Sequence, residues 1–369
     1  MNRRELILGG TAAVAVLSQS ASGQKAAARA AKSGGALIVD GLDTSEITRD
    51  YILTARSVGI NCIHKSMGSL RTFSLMYEFV DKNSDILAIC RSVEEIRSTS
   101  AEGKVALIFG WQGADVVANN RSGTNDWWGT PPKTELRAYY ELGLRFVGIA
   151  YQIANIFGGG GTDTQMGLSR AGRALVEQVH SLKMVLDVAG HTGDQASLDA
   201  IEMSKGIPVV CTHGNARHLA NSSRNLPDIL IDKIAQSGGV IGMNAINDFV
   251  MRGKEMATVE PTPQGTVRDL VRHATYIRNR VGAEHVGLGP DFTSGASENP
   301  NRAPGIRDYP MFGPEVIDKS PRRFVSGFED ISKFRNIEAA LRDDGWSAPE
   351  ICGFMGENWL RVYKQIWGK

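Results

Sequence analysis

Several common signatures of function are missing from this 369-residue sequence. It has no GxGxxG segment between a strand and a helix, and its glycine cluster, GGGGT at 158–162, has neither that spacing nor a Walker lysine. A dinucleotide or P-loop fingerprint is therefore lacking. The 41 basic and 40 acidic residues leave a net charge of +1, without a long run of either sign. Charge thus gives no indication of nucleic acid or an anionic membrane as a partner.

The N-terminus has the three regions of an export signal. Arg3 and Arg4 precede the apolar core LILGGTAAVAVLS, which is too short to cross a membrane, and small residues follow in SQSASGQ. The paired arginines favour twin-arginine export of a folded protein to the periplasm, with an ordinary secretory signal or an uncleaved anchor as alternatives. We therefore expect residues 1–34 to be a signal and a low-complexity tether, and residues 35–369 to form a single domain.

Cysteine is scarce, and the four cysteines lie far apart with no CxxC pair. An even number allows two disulfides, but folding in a reducing cytosol before export argues against a need for them. Cys62 and Cys211 lie within apolar, strand-like runs. We expect buried free thiols.

Apolar runs of strand length alternate with helical segments after the tether. Most are apolar almost throughout, as is typical of strands covered on both faces. The eight runs span residues 36–43, 59–66, 104–112, 145–152, 184–191, 208–213, 239–245 and 285–292. Eight strand–helix units predict an α/β protein with a (β/α)8 TIM barrel, and an open doubly wound sheet is the alternative. Helices within 326–369 are expected to pack on the barrel as a C-terminal extension.

Polar side chains stand at the carboxyl ends of these runs, where barrel enzymes place their active sites. They are, in chain order, Asp43, Gln112, Tyr151 with Asn155 beyond it, His191, His213 and Asp291. His191 and His213 end consecutive strands of one strand–helix–strand unit, so their imidazoles are predicted to meet at one edge. Two histidines with one or two carboxylates are a usual ligand set for a catalytic zinc ion. Asp43 and Asp291 have the alternative role of capping the segments that follow them.

One loop arginine is a further candidate. Arg224, in NSSRNLPD, lies on the same face of the predicted barrel and is suited to bidentate binding of a substrate carboxylate, although a lone loop arginine is commonly solvated or paired. The remaining histidines are assigned structural positions: His64, His180, His218, His273 and His285.

Several of these blocks together resemble the membrane (renal) dipeptidase family, metallopeptidase family M19. The resemblance is carried by ELRAYYELGLRFVGIAYQIAN, GLSRAGRALVEQVHSLKMVLDVAGH, PVVCTHGNARHL, SSRNLPDILIDKIAQSGGVIGMNA, HVGLGPDF and GFMGENWLRVY. It implies a barrel of the amidohydrolase type, hydrolysis of dipeptides, and two zinc ions bridged by a glutamate. Within the resemblance, His191 and His213 correspond to ligands of one zinc ion and Asp43 to the aspartate of an HxD motif. Asp291 corresponds to a proton shuttle, and Arg224 to the arginine that holds the substrate carboxylate.

The sequence departs from the family pattern at the expected metal centre. Gly41 stands in place of the HxD histidine and Gln112 in place of the bridging glutamate. Tyr151 replaces a histidine after the fourth strand, and Thr293 replaces the aspartate of DFDG. A neutral amide is a weaker zinc ligand than a carboxylate and would leave two adjacent dications unshielded. We therefore expect one zinc ion rather than two.

The expected zinc site consists of His191 and His213 with Gln112 and Asp43 as further ligands. Around it we expect a periplasmic hydrolase that cleaves an amide bond in a small, carboxylate-bearing, dipeptide-like substrate. A non-peptidase descendant with a reduced or absent metal site, either a binding protein or a lyase or isomerase, is the alternative.

The remaining site residues are given roles in substrate binding and proton transfer. Asp291 is expected to act first as a base and then as an acid, and Tyr151 to donate to the developing oxyanion. Arg224, Asn155 and Tyr151 are expected to bind the substrate. The other expected partner is the twin-arginine export machinery, and a homodimer stays open.

Overall fold

The computed structural model describes residues 36–118, 133–252, 262–294 and 322–368. The predicted export signal and tether lie outside the described residues. Within those residues, no helix has both the length and the apolar character needed to span a bilayer. The strands are β1 (Val39–Asp43), β2 (Cys62–Ser66), β3 (Leu87–Ile89), β4 (Val105–Trp111), β5 (Leu144–Gly148), β6 (Val185–Asp187), β7 (Ile241–Met243) and β8 (Val286–Leu288).

Helices follow most of the strands. They are α1 (Arg49–Ser57), α2 (Leu70–Lys82), α3 (Val93–Ala101), α4 (Asp115–Ala118), α5 (Lys133–Glu141), α6 (Arg170–Ser181), α7 (Asp194–Ser204), α8 (Asp228–Gln236), α9 (Asn247–Met251), α10 (Val267–Val281), α11 (Asn336–Asp343), α12 (Ala348–Cys352) and α13 (Asn358–Trp367). Side chains cap several of them. Ser169 accepts from the backbone N–H of Gly172 at 3.0 Å at the start of α6, and Thr266 forms a capping box with Asp269 at the start of α10.

The strands close into a parallel barrel. β1, β2, β4, β5 and β6 are paired in that order, and β7 pairs with β8. Val210 pairs with the end of β6 and Cys211 with the start of β7, so one short extended segment bridges the two sheets. The ring closes where Asp43, at the end of β1, pairs with Phe292, after β8. The predicted (β/α)8 barrel is therefore confirmed.

The strands are shorter than the apolar runs that predict them. β6 ends at Asp187 and β8 at Leu288, so His191 and Asp291 lie on the loops beyond these strands. β3 is absent from the predicted runs. It pairs with the first half of β4, beyond which β5 pairs with the second half. Three residues are too few to show a strand pattern in the sequence.

The C-terminal helix α13 packs against the amino-terminal end of the barrel. Its buried Trp359, Tyr363 and Trp367 form one apolar cluster with the first residues of β1, β2 and β6. The ring of Tyr363 stacks on Trp367 at a centroid distance of 4.8 Å. This helix covers the amino-terminal end of the barrel, and the strand ends that carry the candidate residues form the opposite end, the mouth of the barrel.

The cysteines agree with the expected free thiols. All four are unpaired, and Cys62, Cys90 and Cys211 are buried. Burial raises the pKa of Cys62 and Cys211, so these thiols stay protonated and behave as small apolar groups.

Candidate functional site at the barrel mouth

The two histidines that the sequence predicts to be neighbours do meet at the mouth of the barrel. Their ring centroids are 5.0 Å apart, with the rings inclined by 55°. His191 is 7% exposed and His213 1% exposed. Burial lowers the pKa of both imidazoles well below its ordinary value, and the positive charge of Arg224 lowers it further. Both rings are therefore neutral near pH 7.

A hydrogen-bonded chain orients His213. The hydroxyl of Thr212 donates to Asp187 Oδ2, and its oxygen lies 2.8 Å from His213 Nδ1. Because the hydroxyl proton is directed to Asp187, Thr212 Oγ1 accepts from the Nδ1–H of His213. The lone pair of the neutral ring is then on Nε2, a buried atom that has no hydrogen-bond partner within the described ranges.

Asp187 is the other end of this chain. It accepts at Oδ1 from the backbone N–H of Thr212 at 3.1 Å. Burial raises the pKa of Asp187 to about 7, while the hydrogen bonds from Thr212 oppose the rise. The carboxylate is thus an orienting group for His213, although the sequence shows it only as an aspartate inside an apolar run.

His191 faces two polar groups through one nitrogen. Its Nε2 lies 2.9 Å from Gln112 Oε1 and 3.1 Å from Arg224 Nη2. The guanidinium only donates and the amide oxygen only accepts, so one neutral ring nitrogen cannot suit both at once. Tyr151, which is 41% exposed, covers the ring at a centroid distance of 4.0 Å. The predicted neighbours Gln112, Tyr151 and Arg224 therefore do surround His191.

Arg224 supplies the positive charge of the site. Its side chain is 3% exposed, and the guanidinium carbon lies 5.2 Å from the centre of the Phe249 ring. Burial lowers its pKa, but an arginine remains charged at any physiological pH. Its Nη1 is buried and has no hydrogen-bond partner among the residues described. A buried guanidinium with an unused N–H group is suited to an anionic ligand.

Asp291 lies on the loop after β8 with a backbone φ of +63°, a left-handed conformation that aspartate tolerates better than most residues. Asn244 Nδ2 donates to its Oδ2 at 3.3 Å. Burial raises the pKa of Asp291, and the positive charges of Arg323 and Arg224 oppose the rise. The guanidinium that contacts His191 thus also favours the ionised form of Asp291.

Asp43 belongs to a second buried polar cluster, at the ends of β1 and β2. Its Oδ1 accepts from the Ser45 N–H at 2.6 Å, and its Oδ2 accepts from the Tyr51 hydroxyl. Lys65 is its neighbour across the two strands and donates from Nζ to Ser45 O at 2.6 Å. Burial raises the pKa of Asp43, and the charge of Lys65 opposes the rise. Both carboxylate oxygens of Asp43 are therefore already in use.

A zinc ion does not fit these side chains as they are arranged. Across the described residues, no three or more histidine, cysteine, aspartate or glutamate side chains are grouped to hold a metal. Asp43 is bonded to Tyr51, and His191 Nε2 is in contact with the Arg224 guanidinium. A dication at His191 would stand beside a permanent positive charge. The predicted set of His191, His213, Asp43 and Gln112 is thus not assembled as a metal site.

Asn155 organises the loop after β5. Its Nδ2 donates to Asp115 Oδ1 and to Ile149 O, both at 3.0 Å, and its Oδ1 accepts from the Phe157 N–H at 2.8 Å. These bonds engage both ends of the amide, so the predicted role of Asn155 in substrate binding gains no support from the geometry.

The site predicted from the sequence does not include two polar residues of β2, His64 and Lys65. The His64 ring stacks on Phe146 at 4.0 Å, its Nδ1 lies 2.7 Å from Gly41 O, and burial lowers its pKa to about 4. His64 therefore lies beside Gly41, where the family pattern has a histidine on β1. The sequence feature that could have identified these two residues is their position as a polar pair near the end of an apolar run.

Comparisons with known proteins agree with this architecture. Dipeptidase tcpJ of Claviceps purpurea is 27% identical over 307 residues, which are 82% of this chain and 61% of that protein. This chain therefore spans about three fifths of the length of that relative. An amidohydrolase from Pseudomonas aeruginosa has a similar structure, with a TM-score of 0.73, 23% identity, and coverage of 90% of this chain and 97% of that one.

A metallopeptidase from Rhodobacter sphaeroides, solved with a phosphinate mimic of the dipeptide L-Ala-D-Ala, has a TM-score of 0.68 at 20% identity, covering 90% of this chain and 99% of its own. At such identities the two structures establish the shared fold. The model of membrane dipeptidase, peptidase family M19, matches residues 63–321 and 318–367. Because that match extends over most of the chain, this protein belongs to the membrane dipeptidase family M19.

Proposed function

We propose that this protein is a dipeptidase-like hydrolase that cleaves the amide bond of a small substrate with a free carboxylate. The observation that carries the proposal is the buried guanidinium of Arg224, which has an unpartnered Nη1 within the described chain and lies against His191 at the barrel mouth. Leaving a buried charged donor unsatisfied costs free energy, and a bidentate carboxylate satisfies it. Membership of the dipeptidase family supports the same substrate class.

The proposed reaction uses groups that the barrel mouth brings together. Arg224 holds the substrate carboxylate, and His213 Nε2, held as an acceptor, receives a hydrogen bond from a substrate N–H group. Asp291 takes a proton from the attacking water as the water oxygen adds to the amide carbon. The raised pKa of Asp291 suits it to return that proton to the leaving nitrogen when the C–N bond breaks. Tyr151 donates to the developing oxyanion.

Hydrolysis that depends on the predicted single zinc ion is the competing version of this proposal. A metal on His191 and His213 requires the Arg224 guanidinium to leave the contact that it makes with His191. We therefore assign each step to side chains of the protein. The metal requirement of the reaction is tested separately, by chelation.

The second candidate is a non-hydrolytic descendant, either a small-molecule binding protein or a lyase or isomerase. The contact between Arg224 and His191 favours it, because a side-chain cation lies beside His191, where the family resemblance implies a metal ion. Such a protein would still bind a small carboxylate through Arg224.

A dipeptide panel distinguishes the two candidates. It includes L-Ala-D-Ala, chosen because the Rhodobacter sphaeroides protein binds a mimic of it, and the same dipeptides with C-terminal amides. We expect turnover of the free acids and not of the amides. Arg224→Met should lower kcat/KM about 100-fold, the size expected when a charge-assisted bidentate pair is lost.

The matched control is Arg268→Met, because the side chain of Arg268 is 77% exposed and pairs with Asp343 on the surface. It should leave kcat/KM unchanged. If no dipeptide is turned over while small carboxylates still raise the unfolding temperature, the second candidate replaces the first.

We further propose a periplasmic location, supported by the paired arginines Arg3 and Arg4 before the apolar core. Replacement of both by lysine should retain the protein in the cytoplasm, as measured by cell fractionation. Export that is unaffected by the replacement, but is blocked when the general secretory pathway is inhibited, would point to an ordinary secretory signal.

A further inference from the structure

The guanidinium of Arg224 lies next to the histidine pair. Arg224 Nη2 lies 3.1 Å from His191 Nε2. A zinc ion must stand about 2.0–2.1 Å from a ligating nitrogen, in space that this guanidinium nitrogen borders. Arg224 is buried, and Phe249 packs against its guanidinium. The cation next to the two neutral rings is thus covalently part of the chain.

A second buried cation faces the carboxylates of β1. Lys65 is 8% exposed; burial lowers the pKa of its ammonium group, the charges of Asp43 and Asp40 oppose that fall, and the charge of Lys65 in turn stabilises the ionised form of Asp43. Its Nζ is fixed by a hydrogen bond to Ser45 O at 2.6 Å. Asp43 also accepts from Tyr51, so this carboxylate has a counter-charge and hydrogen bonds without a metal ion.

We propose that the positive charge of this site is built into the chain: Arg224 beside His191 and His213, and Lys65 beside Asp43, take the place of bound metal, and the site binds a small organic carboxylate in preference to zinc. The inference rests on the placement of these side chains and needs no turnover of any substrate. It therefore stands or falls independently of the proposed hydrolysis.

Zinc binding by the mature chain tests the proposal. The purified protein is dialysed against excess zinc and then against buffer, its metal content is measured by elemental analysis, and its unfolding temperature is recorded with zinc and with chelator. We expect no retained zinc and no difference between the two unfolding temperatures. One zinc ion per chain that is lost in His213→Ala would overturn the proposal.

Removal of the internal cation should create zinc affinity. Arg224→Met leaves the two imidazoles without the adjacent charge, and we expect calorimetry to show zinc binding at least about tenfold tighter than any weak binding detected in the parent. Arg268→Met, on the surface, should bind zinc as the parent does. Unchanged zinc binding in a folded Arg224→Met protein would contradict the role given to Arg224. If circular dichroism shows that this variant does not fold, Arg224→Gln provides the same test with a polar side chain.

Discussion

The guanidinium of Arg224 and the imidazole of His191 meet across 3.1 Å inside the mouth of the barrel. The contact joins the loop after β6 to the loop before α8. Burial keeps both histidines neutral, and this contact adds to the effect, since protonation of either would place a second positive charge next to a guanidinium that cannot lose its own. Two neutral imidazoles can accept hydrogen bonds from N–H groups, and the guanidinium beside them can bind a carboxylate. The arrangement therefore suits a ligand that has both.

Asp291→Asn should remove proton transfer and leave the fold intact. Asparagine tolerates the left-handed backbone at φ +63° and keeps the shape of the side chain. We expect kcat to fall at least about 100-fold, within the usual range for loss of a general acid–base group. The midpoint of urea unfolding should not fall. A variant that retains full kcat would show that Asp291 does not carry the proton.

Thr212→Val should both destabilise the protein and disorder the site. It leaves Asp187 and His213 Nδ1 without the hydroxyl that joins them, and a buried polar group left unsatisfied costs about 1–3 kcal/mol. The free energy of unfolding in urea measures the loss. Thr212→Ser keeps the hydroxyl and is the control. A Thr212→Val protein as stable as the parent would mean that the hydrogen-bonded chain through the hydroxyl does not stabilise the fold.

Acid should weaken the loop that follows His213 through His273. Its Nδ1 accepts from the Ala216 N–H at 3.1 Å, so the proton is on Nε2, which lies 3.0 Å from Val250 O. Burial lowers the pKa of His273 to about 4 from an ordinary value of 6.5. Because the unfolded chain binds the proton first, this contribution to stability is complete above pH 6.5 and is lost as the pH falls towards 4.

The pKa difference for His273 corresponds to at most about 3 kcal/mol. The measurement is the free energy of unfolding at several pH values in this window. His273→Gln should reduce the slope by about one proton, while His64, His191 and His213, whose pKa values are also lowered by burial, still contribute to the remainder. An unchanged slope would show that the neutral ring of His273 is not required.

Gly41→Ala should destabilise the barrel. A Cβ atom at this position would lie 2.6 Å from Leu288 O and 2.6 Å from the Trp359 ring. Overpacking of this kind costs about 1–3 kcal/mol, measurable as a lowered unfolding midpoint. Gly68→Ala is the control, because its Cβ would meet only Thr72 at an ordinary 3.4 Å. A Gly41→Ala protein as stable as the control would mean that both the Trp359 ring and the backbone at Leu288 can move aside.

The barrel was readable in the sequence because near-continuous apolar runs mark strands buried on both faces. The position of His191 beside His213 followed from the same pattern, although the loop after β6 begins four residues earlier than the run suggests. The role of Asp187 could not be read, since it depends on the direction of one threonine hydroxyl.

The contact between Arg224 and His191 could not be predicted from the sequence either. It joins side chains 33 residues apart, and Phe249 packs against the guanidinium that makes it. The departures at Gly41 and Gln112 indicated an altered centre without showing what replaced the metal ligands. The structure gives two physical reasons for the altered centre. The Trp359 ring fills the space beside Gly41, and Lys65 provides the positive charge opposite Asp43.

The most direct test is the turnover of a free-acid dipeptide by chelator-treated protein whose metal content is measured in the same sample. The arrangement of Arg224, His191 and His213 predicts that kcat is unchanged when the protein contains no metal. Activity that disappears on chelation and returns in proportion to added zinc, up to one ion per chain, would contradict it.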